Sequence, residues 1–172
     1  ISDNLSGFPG PLVLPDNRSG ITEAVTHLVE HGHRRIGFAG YPVQKDISER
    51  YEAYQDTLRG HGISPDPDLF FNTGNNQESG GVLAAQAMLT AGMPCTAVVT
   101  GNDLNAIGLV ETLTAAGLDL PGDQAVIGFD DTEAAAFLVP TLSSVRQPLA
   151  RIGGDAVDLL LRQLAGETVT PG

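Results

Sequence analysis

Three sets of polar side chains stand directly after short apolar runs. Ala125–Phe129 runs into the adjacent carboxylates Asp130 and Asp131, and Thr96–Thr100 stops at Gly101-Asn102-Asp103. Arg35–Ala39 stops at Gly40-Tyr41-Pro42, and the helix expected next carries Arg50, placed in its first turn. A carboxylate accepts hydrogen bonds, a guanidinium donates them in a planar fork, and a carboxamide does both. Meeting at one place, Arg50, Asn102 and Asp130 would bind a small polar molecule.

The elements that must bring them together are legible as an alternation. Apolar runs without polar breaks read as strands covered on both faces, as in parallel sheets. The strands expected are Arg35–Ala39, Leu69–Thr73, Thr96–Thr100 and Ala125–Phe129, with a strand or extended crossing segment at Thr141–Gln147 and a short strand at Leu12–Leu14. Between them run period-3.6 stretches that end at glycine. One starts at Gly20, with Ile21, Ala24, Val25, Leu28 and Val29 on its apolar side, and others carry Ile47–Leu58, Glu78–Ala91 and Leu104–Ala116. A short helix is expected within Thr132–Val139, and a last one spans about Leu149 to Ala165. This order predicts an α/β fold, a parallel sheet with helices on both faces. Such sheets bind ligands beyond the carboxyl ends of their strands, where the three polar sets stand.

Composition narrows the function. The chain has 172 residues and 41% hydrophobic content, enough for one domain or one and a half small lobes. Its formal net charge is −12, with nine Lys and Arg against 21 acidic residues. Nucleic-acid backbones are bound by dense Lys and Arg, and anionic membranes attract basic segments, so direct DNA binding and membrane adhesion by this chain are both disfavoured. No apolar run is long enough to span a bilayer, and no signal peptide is visible. The single cysteine, Cys95, forms no internal disulfide or thiolate cluster, which fits a cytoplasmic protein. No cofactor is expected. Nucleophile elbow, phosphate-loop and dinucleotide fingerprints are absent. The one enzyme alternative is a metal held by Asp103, Asp130 and Asp131, and nothing beside it supplies a nucleophile. His27, His31, His33 and His61 flank glycine stops at no metal-binding spacing.

The ordered motifs resemble a known family. Asp16–Gly40, Arg50 with Tyr54, Asn102–Gly108, Val126–Asp131 and Pro140–Pro148 closely resemble the effector-binding part of lactose/galactose-repressor transcription regulators. The resemblance runs from about Asp16 to Gly166. It implies a periplasmic-binding-protein-like fold, two lobes joined by crossing strands with a sugar or related effector between them. It further implies a homodimer and a DNA-binding helix-turn-helix outside this chain. On that basis residues 1–32 would be part of the N-terminal lobe, 33–147 the C-terminal lobe with its crossing segment, and 148–172 a helix returning to the first lobe, so the chain reads as part of a longer protein. By the resemblance Arg50, Asn102, Asp130 and Gln147 are the effector contacts, although Ala53 stands where the family's arginine motif has glycine.

Some assignments stay open at this level. Asp103 is expected to cap the fourth helix while Asn102 faces the ligand. Asp131 either caps the segment after it or lines the site, and Tyr41 or Phe129 could stack on a sugar ring. A solute-binding protein for sugar uptake, or a sensor domain fused to another signalling module, would share the same fold.

Overall fold

The computed structural model describes residues 12–167. They fall into two compact units, one containing Asn17–Arg146 and the other beginning again at Gln147. The first unit holds α1 (Asn17–Glu30), β1 (Ile36–Gly40), α2 (Lys45–Gly60), β2 (Phe70–Asn72), α3 (Glu78–Thr90), β3 (Ala97–Thr100), α4 (Asp103–Ala115), β4 (Ala125–Asp130) and β5 (Ser143–Arg146). A 3-10 turn, Glu133–Phe137, stands where a short helix is expected. The other unit contributes α5 (Leu149–Leu164), which turns Leu149, Val157, Leu160, Leu161 and Leu164 outward. Thr168–Gly172 and the first eleven residues lie outside the described part, and Leu12–Leu14 forms no strand.

The five strands lie in the order β2-β1-β3-β4-β5, and every pair is parallel. Successive side chains on a strand point to opposite faces, and the two apolar cores follow that rule. Ile36 and Phe38 of β1, Val99 of β3 and Ile127 and Phe129 of β4 pack with α1 and α2 through Ile21, Val25, Leu28, Ile47 and Leu58. Ala39 and Val98 point the other way, against Ala85 and Met88 of α3 and Leu109 and Leu113 of α4.

One boundary differs from the sequence reading. Residues 1–32 were assigned together to the N-terminal lobe, but α1 packs into the same core as β1, β3 and β4. Its apolar stripe is long enough to cover the sheet face that α2 leaves open, so the compact unit starts at Asn17. The α1 helix also begins three residues earlier than the Gly20 start expected from the periodicity.

The strand order sets where a ligand can sit. From β1 the chain crosses to β2 on one side; from β3 it proceeds to β4 on the other. The helices after β1 and β3 therefore diverge at their starts, leaving a crevice at the carboxyl ends of these neighbouring strands.

On the opposite face α3 and α4 pack backbone to backbone. A β-carbon at Gly81 would lie 1.9 Å from the Asn105 carbonyl oxygen, and one at Gly108 would lie 2.0 Å from the Glu78 carbonyl oxygen. Neither backbone can yield without separating the helices. Gly108→Ala should lower stability by about 1–3 kcal/mol or more, despite alanine's better helix propensity. Urea unfolding followed by circular dichroism checks this; an unchanged or raised midpoint would contradict the close packing.

Candidate functional site at the carboxyl edge of the sheet

The carboxyl edge is organised by Arg50. It stands one turn further into α2 than the sequence suggested and is only 2% exposed. Its guanidinium carbon lies 3.7 Å from the centroid of the Phe129 ring, within cation–π range. Nε donates to Asn17 Oδ1 at 2.9 Å, and an Nη donates to the Gly101 carbonyl oxygen at 2.6 Å. Carboxylate oxygens of Asp46 and Asp130 each stand 3.7 Å from the guanidinium. Burial pulls the Arg50 pKa down, and Asp130, Asp46, Glu49 and Asp103 push it back up. One side chain thus joins the start of α1, the turn after β3 and the end of β4.

Asp130 is the last residue of β4 and keeps 30% of its side chain exposed. Its φ is 120°, and that of Asp131 is 53°. Positive φ is uncommon for residues with a β-carbon and concentrates at functional sites. The Asp131 carboxylate pairs with Arg146 at the end of β5.

The capping role expected of Asp103 falls to its neighbour. Asn102, not Asp103, caps α4: its Oδ1 accepts from the Asn105 backbone N–H at 2.9 Å, and its Nδ2 donates to the Asn76 carbonyl oxygen at 3.0 Å. A carboxamide has two donors and two acceptor positions, so Asn102 keeps one of each for another partner. Asp103 lies inside, where its carboxylate accepts hydrogen bonds from Thr132 and Ser144. The difference has a simple cause. A cap must sit just outside the helix with extended backbone, and Asn102 is there, whereas Asp103 is already the first helical residue. Phe129 is likewise unavailable for stacking on a sugar, because it is 1% exposed and Arg50 covers its face. Tyr41, half-buried after β1, retains that option.

Gln147 directly follows β5 and is the first residue of the other compact unit from there on. Among the described residues no group of three or more His, Cys, Asp or Glu side chains is placed to hold a metal. Cys95 is buried, and desolvation raises its thiol pKa to about 11, so it offers no thiolate at neutral pH. A hollow of about 90 Å³ lies away from this edge, lined by Val110, Leu120, Gln124 and Leu142 among others.

Sequence reasoning missed Asp46, although its spacing of four residues from Arg50 on a helix is a readable signal. It also missed Gln44 and Asn76, whose side chains hydrogen-bond to each other and join the loops after β1 and β2. That contact spans 32 residues of chain and has no local signature.

Residues 25–172 match the family described as the periplasmic binding protein-like domain. The chain belongs to that family. Among curated members, the HTH-type transcriptional regulator MalR of Streptomyces coelicolor is 38% identical over 166 residues, which are 94% of this chain and 47% of MalR. Among similar solved structures, the transcriptional regulator CelR in complex with cellobiose superposes with a TM-score of 0.88 at 32% identity, covering 96% of this chain and 51% of CelR. A sugar-binding transcriptional regulator of the LacI family from Escherichia coli, in complex with phosphate, superposes at 0.84 and 32% identity, covering 92% of this chain and 57% of its own. The chain spans about half the length of the curated relatives it matches.

Removing the guanidinium tests its place at the centre of this edge. Arg50→Met would remove the donor to Asn17 Oδ1 and the Gly101 carbonyl and the guanidinium beside Asp46 and Asp130. Breaking a buried pair costs about 3–5 kcal/mol, and the partial exposure of Asp130 reduces that to roughly 2–4 kcal/mol here. Chemical denaturation reads the loss directly. A shift below about 1 kcal/mol, the range of an exposed ion pair, would mean that Arg50 does not anchor the edge.

Proposed function

We propose that the chain is the effector-binding part of a cytoplasmic transcription regulator and that its effector is a neutral sugar or related polyol. Asp130 would accept hydrogen bonds from neighbouring hydroxyls, Asn102 would use its remaining donor and acceptor, and Arg50 would act mainly by holding Asp130 in place. Gln147 is a further contact in this reading, on the family resemblance alone. The regulator would work as a homodimer, with its DNA-binding segment elsewhere in the protein.

The observation that carries the choice of ligand is the charge balance around Arg50. One guanidinium faces two carboxylates, those of Asp46 and Asp130, and its donors already serve Asn17 and Gly101. No surplus positive charge is left for an anion, while a half-exposed carboxylate suits hydroxyl donors. The two ligands found in the neighbours named above, cellobiose and phosphate, represent these alternatives. The balance here favours the neutral one. Ligand contacts made in only one conformation would shift the population toward it, which is how occupancy would reach the DNA. MalR and CelR are named as regulators, which favours this reading over solute uptake.

A thermal-shift panel of cellobiose, maltose, galactose, nucleosides and inorganic phosphate should single out a neutral sugar. Calorimetry with that sugar should then show Asp130→Ala binding at least about tenfold more weakly, the effect of losing ~1.4 kcal/mol. The unfolding midpoint should fall less than in Arg50→Met, since Asp130 is one of several groups that compensate the buried guanidinium. An unchanged dissociation constant, or a preference for phosphate, would falsify this reading.

A further inference from the structure

Asp103 is a carboxylate with 0% exposure whose hydrogen bonds run to Thr132 and Ser144, and its charge also acts on Arg50. Its bonding is complete and specific. Oδ2 accepts from the Thr132 backbone N–H at 2.7 Å and from Thr132 Oγ1 at 3.0 Å. Oδ1 accepts from Ser144 Oγ at 2.6 Å, and Ser144 Oγ in turn accepts from the Asp131 backbone N–H at 2.9 Å. Consecutive backbone N–H groups, those of Asp131 and Thr132, are therefore held by one carboxylate, the first through a hydroxyl and the second directly. The strand beneath makes room for it: a β-carbon at Gly128 would lie 2.2 Å from Asp103 Oδ1. As the first residue of α4, Asp103 also places its negative charge at the favourable end of the helix dipole.

The segment held in this way begins with the two aspartates at positive φ, 120° for Asp130 and 53° for Asp131. Such backbone persists only where its surroundings over-determine it. Released from Asp103, the chain after Phe129 would relax toward ordinary extended angles. Rotation at Asp130 would then swing its carboxylate away from Arg50.

We propose that Asp103 is the positioning residue of the ligand edge: through Thr132 and Ser144 it fixes the backbone of residues 130–132, and so sets the place of the Asp130 carboxylate beside Arg50, without meeting the ligand. The consequence for affinity rests on the sugar-binding reading above; the consequence for geometry does not.

The test separates the two, using the whole chain. Asn at position 103 preserves shape but replaces one acceptor oxygen with a donor, so it cannot serve Thr132 and Ser144 as the carboxylate does. In NMR spectra without ligand, Asp103→Asn should move the Asp130 carboxyl carbon and Arg50 Nε–H signals and speed hydrogen exchange at Asp131 and Thr132, while β1 and β3 amides stay protected. Ser144→Ala, which leaves Asp103 in place, should change the same signals in the same direction and serves if Asp103→Asn does not fold. Unmoved Asp130 and Arg50 signals in a folded variant would overturn the proposal. With cellobiose as probe, Asp103→Asn should weaken binding about tenfold, the scale of one charge-assisted hydrogen bond, and should have no further effect in an Asp130→Asn background. Additive losses would mean that Asp103 acts other than through Asp130, which also overturns it. If Asp130→Asn alone leaves cellobiose binding unchanged, or cellobiose does not bind, the sugar reading fails and the NMR result still decides the positioning claim.

Discussion

A guanidinium buried over an aromatic ring is the constraint on which the carboxyl edge depends. Taking an ion out of water costs several kcal/mol, and only close compensation recovers it. Arg50 obtains that compensation from five groups: the Phe129 face, Asn17, the Gly101 carbonyl, and the carboxylates of Asp46 and Asp130. The contacts come from α1, α2 itself, the turn after β3 and the end of β4, so the edge cannot be assembled piecemeal. The start of α1, the β3 turn and the end of β4 must all be in place for the charge to be tolerated.

This arrangement also determines what the edge offers to solvent. Arginine at a binding site normally presents a fork of donors to an anion. Here burial turns the fork inward, and what remains accessible is the carboxylate it holds. A second carboxylate, that of Asp103, acts one layer further in by bonding the backbone that carries the first. The accessible polar group at this edge is therefore a carboxylate rather than a cation, which is the basis for proposing a hydroxyl-rich ligand. The strand order adds the crevice: β1 and β3 are neighbours whose following helices diverge.

Much of this was legible in the sequence, for identifiable reasons. The strands and their parallel pairing follow from uninterrupted apolar runs such as Ala97–Thr100, separated by helical periodicities that end at glycine. The convergence of Arg50 and Asp130 followed from the same logic, because parallel strands send their carboxyl ends to one edge. What stayed hidden was the direction of each side chain. Whether Asn102 or Asp103 caps α4 turns on where the helix starts, a matter of one residue. The role of Asp103 depends on Thr132 and Ser144, which lie 29 and 41 residues away. The burial of Arg50 depends on Phe129 and Asn17 arriving from other elements, and the placement of α1 in this core depends on a sheet face left uncovered by α2. Such facts are set by tertiary packing, and no local pattern encodes them.

The most direct measurement is a crystal structure of the protein grown with the neutral sugar that stabilises it best. With Asp130 as the principal acceptor, sugar hydroxyls should lie within hydrogen-bond distance of its carboxylate, and the Arg50 donation to the Gly101 carbonyl should remain intact. A sugar seated instead in the hollow lined by Val110, Leu120 and Gln124, or one bonded directly by an Arg50 that has left Gly101 and Phe129, would contradict the buried guanidinium as the fixed centre of the site.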